Sequence, residues 1–322
     1  LKKNSLKYKL IVLSALLFSI KAEAQQLPYY TQFSSNLFML NPAVAGTKGE
    51  INACMNYRMQ WVGYEDAPRT GTISLHSRLA GGKMGVGAYL LQDKVGPSQK
   101  TNIGGAYAFH VRFPDVELSA GIAADYIKYR LIGTKMTLHN TQDPAVNQFV
   151  DDNSSVLDAH GGLYLYNDRF HFGLSALHTL KAQTEFYKND SVKQGVIPFI
   201  TQFYSTLGYN YSISQDYIYE NTVFVNYVKG VPLMIDYTLR LHYKQKFITG
   251  FSIRLRDAIA LHMGFTHNNI QVTYSYDLLI NRFRAYSSGS HEIMLKYNFS
   301  RKDNDKNGPR SNKFARQKYS IF

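Results

Sequence analysis

Residues 233–244 read Leu-Met-Ile-Asp-Tyr-Thr-Leu-Arg-Leu-His-Tyr-Lys, an alternation of apolar and polar side chains broken only by Met234. Successive side chains of an extended strand point to opposite faces. Leu233, Ile235, Tyr237, Leu239, Leu241 and Tyr243 therefore share one face, and Met234, Asp236, Thr238, Arg240, His242 and Lys244 share the other. Residues 51–61 repeat the pattern, with Ile51, Ala53, Met55, Tyr57, Met59 and Trp61 opposite Asn52, Cys54, Asn56, Arg58 and Gln60. Strands of soluble sheets usually run to about 5–6 residues, whereas a tilted strand crossing a bilayer needs about 9–11. Runs this long, with one apolar face for lipid and one polar face for a lumen, point to a transmembrane β-barrel.

Fourteen such runs are found, at 51–61, 70–78, 83–92, 101–112, 116–128, 157–166, 170–177, 202–211, 219–228, 232–244, 247–256, 258–265, 270–281 and 290–299. The fold class is therefore all-β, an antiparallel barrel of about 14 strands over 51–299. An even number is what bacterial single-chain barrels use, and closure removes the sheet edges that long strands would otherwise leave open. Phe113-Pro114-Asp115, Asn167-Asp168-Arg169 and Gln245-Lys246 are tight links, and 129–156 and 178–201 are long ones. Glycines within the runs, among them Gly85, Gly87, Gly104, Gly105, Gly161 and Gly162, suit bends or close backbone approach in the wall.

Three segments fall outside the barrel. Lys2, Lys3, Lys7 and Lys9 precede the apolar run 10–20, and Ala22-Glu23-Ala24 follows it. This is the pattern of a signal peptide, 1–24, with Ala22 and Ala24 as the small residues of the cleavage site and Gln25 as the first mature residue. Residues 25–50 are apolar and aromatic without alternation, which makes them a plug or rim segment. Residues 300–322 hold seven basic and two acidic residues and read as a polar tail. An even strand count with this export signal places the protein in the outer membrane with both termini on the periplasmic side.

The formal charge of +13 resides largely in the leader and the tail, so the body carries no basic stripe of the kind a nucleic-acid-binding face needs. A single cysteine, Cys54, excludes a disulfide scaffold. The ten histidines form no H-E-x-x-H motif, and there is no G-x-S-x-G elbow. His242 and His262 fall on polar strand faces and read as satisfied lumenal side chains. Asp303-Asn304-Asp305-Lys306-Asn307-Gly308 opens like a calcium loop, but position 12 is Phe314 where a bidentate Glu is required. No enzyme, cofactor or metal site is expected.

One set of motifs is specific. The blocks are Tyr30-Thr31-Gln32-Phe33, Leu40-Asn41-Pro42-Ala43-Val44-Ala45-Gly46, Tyr57-Arg58-Met59-Gln60-Trp61-Val62-Gly63, Ala67-Pro68-Arg69-Thr70 and Asp93-Lys94-Val95-Gly96-Pro97. Ala106-Tyr107-Ala108-Phe109, Thr141-Gln142-Asp143-Pro144 and His291-Glu292-Ile293-Met294-Leu295 follow. In this order and spacing they resemble the PorP/SprF family of the type IX secretion system of Bacteroidetes. The resemblance implies a non-enzymatic outer-membrane barrel used in protein secretion, gliding motility or surface adhesion. Its partners would be a large secreted adhesin with a type IX C-terminal domain, other components of that system including a periplasmic peptidoglycan-binding protein, and outer-membrane lipid. Asn41, Pro42, Gly46, Tyr57, Arg58, Gln60, Trp61, Asp93, Lys94, Gly96, Pro97, Asp143 and Pro144 are the motif positions, expected to be structural or partner-binding. The alternative function on the same fold is a passive pore or small-molecule transporter, which a lumenal plug at 25–50 would disfavour.

Overall fold

The computed structural model describes residues 29–48, 51–79, 81–136, 151–186 and 195–299. The signal-peptide positions Ala22, Ala24 and Gln25, the motif residues Asp143 and Pro144, and the 300–322 tail lie outside them. The strands are β1 (Ile51–Met59), β2 (Arg69–Arg78), β3 (Met84–Val95), β4 (Ser98–Arg112), β5 (Glu117–Leu131), β6 (Asp152–Tyr166), β7 (Phe170–Leu177), β8 (Gln183–Phe186) and β9 (Gly195–Pro198). They continue with β10 (Gln202–Ser212), β11 (Tyr217–Val228), β12 (Met234–Tyr243), β13 (Phe247–Arg254), β14 (Ala258–His267), β15 (Ile270–Leu279) and β16 (Ser290–Phe299). Fourteen of them, all but β8 and β9, close into one antiparallel barrel.

Each barrel strand pairs with its sequence neighbour, and β1 closes on β16 from Ile51↔Phe299 to Met59↔His291. The alternation sets the faces. In β1, Met55 is 52% and Tyr57 44% exposed on the outside, while Cys54, Asn56 and Arg58 are buried within. In β12, Tyr237 points outward, and Asp236, Thr238, Arg240 and His242 point inward. No helix among the described residues is long and apolar enough to cross a membrane; the crossings are made by strands.

Links sort by end. At the end where β1 begins and β16 finishes, the links are 79–83, 113–116, 167–169, 213–216, 244–246 and 268–269, all short. At the opposite end lie 60–68, 132–151, 178–201 and 280–289, together with the short links 96–97, 229–233 and 255–257. Ends of unequal loop length are the habit of outer-membrane barrels.

Four expectations are corrected here. The first long link covers 132–151 rather than 129–156, because β5 and β6 extend further than the alternation suggested. The segment 178–201 holds a two-stranded hairpin, β8–β9, paired from Gln183↔Pro198 to Phe186↔Gly195; four-residue strands are too short to show a period. The third run, expected over 83–92, reaches Val95, so Asp93 and Lys94 sit within β3 and only Gly96 and Pro97 form the turn to β4. Trp61 does not continue the outer face of β1, since that strand ends at Met59 and Trp61 adopts a left-handed φ of 51° in the following link.

Tyr237 lies near the middle of its strand on the outer face, its hydroxyl donating to Asn221 Oδ1 at 2.8 Å. Tyr237→Arg should cost about 2–4 kcal/mol, the penalty for a cation near the bilayer midplane. Urea titration of the barrel refolded in lipid vesicles measures it; a cost near zero would place this position at an interface instead.

Candidate functional site

A chain segment without strand structure can enter a barrel only if its backbone polar groups find partners there. Residues 29–48 do so as three 3-10 turns, Phe33–Ser35, Leu37–Met39 and Pro42–Val44. They pack inside the lumen, burying Tyr30, Phe33, Leu37, Phe38, Leu40, Ala43, Val44 and Ala45. Asn41 and Pro42 explain the last turn. Proline is tolerated at its first position because no N–H is needed there, and Asn41 Oδ1 accepts the Ala43 N–H at 2.9 Å. The Asn41 amide then donates to the wall, to Leu163 O at 2.9 Å and Leu174 O at 3.2 Å.

The segment runs the length of the lumen. Near the short-link end, Arg78 Nε donates to Gly46 O at 2.7 Å and His110 Nε2 reaches Ala45 O at 2.9 Å. Arg78 is also paired to Glu117 at 3.0 Å. Gly46 turns with φ 78°, and its missing Cβ would lie 2.8 Å from the Gly85 Cα; a side chain at Gly46 fails on both conformation and space. Glycines in the wall make room for the segment. A Cβ at Gly121 would stand 2.3 Å from Ala43 N, at Gly85 2.0 Å from Ala45 O, and at Gly162 2.1 Å from Asn41 Oδ1.

At mid-lumen the Arg240 guanidinium bonds the hydroxyls of Ser34 and Ser35 and is paired with Glu220. His242 Nε2 lies 2.9 Å from the other oxygen of Glu220. Phe33 packs on Phe224, ring centroids 4.8 Å apart. Toward the long-link end the charges concentrate. Arg58 donates to Thr31 Oγ1 at 2.6 Å, Asp277 at 2.8 Å and Glu292 at 3.0 Å. Glu292 accepts the backbone N–H groups of Thr31 and Gln32 at 2.8 and 3.1 Å and the Asn56 amide at 2.7 Å. Arg254 lies 2.7 Å from Asp257, 3.3 Å from Asp236 and 3.5 Å from Asp277, with its guanidinium 3.9 Å over the Tyr29 ring. Tyr29 donates to Asp236 at 2.7 Å. Charges this deep are tolerable because each carboxylate is met by a cation and by N–H or O–H donors.

Of the motif residues, Asn41, Pro42, Gly46 and Arg58 thus meet in one assembly around the lumenal segment. The other described motif residues do not join it. Tyr57 faces outward. Gln60 donates its N–H to Pro68 O at 2.9 Å, closing the base of the 60–68 link. Asp93 accepts from Thr70 at 2.6 Å, while Lys94, Gly96 and Pro97 shape the β3–β4 hairpin. Trp61 stacks on Phe283 at 4.7 Å, with Tyr64 edge-on at 5.9 Å. Backbone bonds from Val62 N to Gly289 O and from Ser288 N to Val62 O tie the 60–68 and 280–289 links together.

Several partners were not singled out in the sequence: Asp236, Arg254 and Asp277 of the upper network, Glu220 at mid-lumen, and a cluster of Asp125, Asp158, His160 and His178. Charged residues recurring on the inward face of successive strands were the available signal. Asp158, His160 and His178 bring their side-chain ligand atoms within 4.8 Å of one another, a metal-like grouping. Their atoms are nevertheless engaged in hydrogen bonds. His160 Nε2 meets Asp125 at 2.6 Å and its Nδ1 accepts the His178 N–H at 3.0 Å, while His178 Nδ1 bonds Asp158. Such a set braces β5, β6 and the start of the 178–201 link. His262 is likewise satisfied, 2.6 Å from Ser252 Oγ.

The family model described as type IX secretion system membrane protein PorP/SprF matches residues 22–297. No curated protein matches the chain. Among solved structures, the toluene transporter TbuX of Ralstonia pickettii is similar at 11% identity with a TM-score of 0.48, over 82% of this chain and 93% of that one. A Pseudomonas aeruginosa FadL homologue follows at 10% identity and 0.45, over 81% and 93%. The Acinetobacter baumannii outer membrane protein Omp33 gives 10% and 0.43, over 79% and 100%.

Removing one member of a buried ion network leaves its partners uncompensated, at a cost of about 3–5 kcal/mol. Arg58→Ala strands Asp277 and Glu292 beneath Thr31, and Gly121→Val drives a side chain into Ala43. Both should loosen residues 29–48 while the barrel persists. Planar-bilayer recording should then show conductance well above that of the unaltered protein, with the heat-modifiable band on gels retained. Unchanged conductance in both variants would mean that the segment does not seal the lumen.

Proposed function

The chain belongs to the PorP/SprF family of type IX secretion system membrane proteins, and from that premise we propose that it is a non-enzymatic outer-membrane scaffold working by holding protein partners at its two rims. Its fold and family fit the outer membrane. The observation that carries the reading is the occupied lumen: residues 29–48 bond to strands on all sides of the barrel interior. A lumen filled in this way leaves the rims as the surfaces open to partners, and it weighs against a passive pore or small-molecule transporter.

In this reading the long-link end faces outward and the short-link end faces the periplasm. Long links on a rigid wall are where recognition resides. The 132–151 and 178–201 links choose the secreted partner, a large adhesin with a type IX C-terminal domain, and help to retain it at the surface. The other components of the secretion system, a periplasmic peptidoglycan-binding protein among them, meet the short-link rim and the basic 300–322 tail. The tail contributes a salt-sensitive tether, since exposed charges are screened beyond about 8 Å at physiological ionic strength.

Exchanging residues 132–151 and 178–201 for those of a relative serving a different adhesin should exchange which adhesin is retained on the cell. Truncation after Phe299 should instead weaken co-purification of periplasmic components and leave adhesin choice intact. Mass spectrometry of proteins retained on the tagged barrel reads both outcomes. If truncation alters adhesin choice while the exchange does not, the two rims are assigned the wrong way round.

A further inference from the structure

Glu117, Glu220, Asp236, Asp277 and Glu292 on the lumenal wall each pair with an arginine. Asp125 and Asp158 do not. Among the described residues their basic partners are imidazoles alone: His160 Nε2 lies 2.6 Å from Asp125, and His178 Nδ1 bonds Asp158. Lys100, in the same region, rests over the Tyr129 and Phe199 rings at 5.7 and 5.5 Å and is in no ion pair with either carboxylate. The strand period of two puts Asp158 and His160 on one inward face of β6. His178 follows directly on β7 with a left-handed φ of 57°, a costly conformation for a residue other than glycine and one that collects at ligand sites. Asp158, His160 and His178 are all buried, and they offer ligand atoms within 4.8 Å of one another.

Each of these side chains is held from behind. Asp158 Oδ1 accepts the Ala159 N–H at 2.8 Å, which fixes the carboxylate and leaves Oδ2 for His178. His160 Nε2 is anchored on Asp125, whose oxygens also accept from Asn102 at 2.7 Å and from Tyr89. Thr201 Oγ1 donates to the His178 carbonyl and Thr179 N to Ala159 O, both at 3.0 Å, so the start of the 178–201 link is stitched to β6. A carboxylate behind an imidazole fixes its tautomer and raises its basicity, as it does for histidines that ligate metals. Zinc bonds of about 2.0–2.2 Å set tetrahedral ligands about 3.4 Å apart, a spacing within reach of small side-chain rotations.

We propose that Asp158, His160 and His178 form a binding site for a divalent transition-metal ion of the zinc class, with Asp125 orienting His160. Two imidazole nitrogens and one carboxylate oxygen suit such an ion, whereas calcium and magnesium favour oxygen ligands. The present hydrogen bonds are those the ion replaces. It takes the lone pair of His160 Nδ1, which now accepts the His178 N–H at 3.0 Å. It also takes Asp158 Oδ2 and His178 Nδ1, whose proton passes to Nε2 so that the ring stays neutral. Leu180, two residues further on, is 59% exposed, so the ion enters from the long-link rim. Bound there, it ties β6 to the base of the 178–201 link, whichever partner that link meets.

The full-length mature protein, without a polyhistidine tag and stripped by a chelator, is titrated calorimetrically in neutral detergent with Zn²⁺ and, separately, with Mg²⁺. One saturable Zn²⁺ per chain is expected, and no comparable binding of Mg²⁺. His160→Gln, His178→Gln and Asp158→Asn should each weaken Zn²⁺ binding tenfold or more. His267→Ala, at an exposed histidine ending β14, should leave it unchanged. Retention of the heat-modifiable band verifies that each variant is folded. Co²⁺ added to the unaltered protein gives a readout that needs no variant: a strong visible absorption of low-coordinate cobalt, discharged by Zn²⁺. The proposal is overturned by absence of saturable Zn²⁺ binding, by equal binding of Mg²⁺, or by a Co²⁺ spectrum no stronger than that of the aqueous ion. Binding that survives all three substitutions, or that falls equally with His267→Ala, overturns it as well.

Discussion

The lumen is organised by the need to neutralise buried guanidinium groups, Arg58 first among them. It sits one residue from the end of β1, almost fully enclosed, where an unpaired guanidinium would be prohibitively costly. Asp277 from β15 and Glu292 from β16 supply the counter-charge, and Thr31 fills the remaining donor direction. Glu292 then has lone pairs left over, which accept two backbone N–H groups of the lumenal segment. Wall and segment are in this way satisfied by one set of atoms. Neither could be replaced by an apolar version of itself without orphaning groups on the other.

The same logic repeats down the lumen with different residues. Arg240 divides itself between Glu220 and the two serines of the segment, and Arg78 divides itself between Glu117 and the Gly46 carbonyl. Four arginines, Arg58 and Arg254 toward the long links, Arg240 at mid-lumen and Arg78 near the short links, each join a wall carboxylate to the segment. Arginine is suited to this because its rigid fork reaches two acceptors at once without losing much freedom per bond. The apolar contacts of Phe33, Phe38 and Leu40 fill space between these levels.

Much of the barrel was legible in the sequence because lipid imposes a period of two. Met55 and Tyr57 outside with Arg58 inside, or Tyr237 outside with Arg240 and His242 inside, follow from alternation alone. So did the number of barrel strands, since each crossing needs a full run. The β8–β9 hairpin was not legible, because four residues hold too little of any period. Trp61 was misplaced for a related reason: an aromatic continuing a phase looks like strand until a left-handed backbone ends it. Asn41, Pro42 and Arg58 were found through the family motifs. Their partners Leu163, Leu174 and Asp277 were not, because proximity across a lumen leaves no trace in spacing along the chain. The grouping of Asp125, Asp158, His160 and His178 was missed in the same way, although Asp158 and His160 stand two apart on one face.

Arg58 and Glu292 are also register partners across the seam where the barrel closes. One ion pair therefore enters two equilibria, the joining of the last strand to the first and the docking of the segment within. Free energy shared between two events makes each favour the other to the same extent. A barrel whose seam has not zipped lacks half the cradle for Thr31 and Gln32, and an empty lumen leaves Glu292 short of the two N–H donors it is built to receive. Closure and filling are thus coupled through that pair, each favouring the other. The segment serves the wall as a keystone serves an arch, bracing the ring from within at the seam where its first and last strands meet.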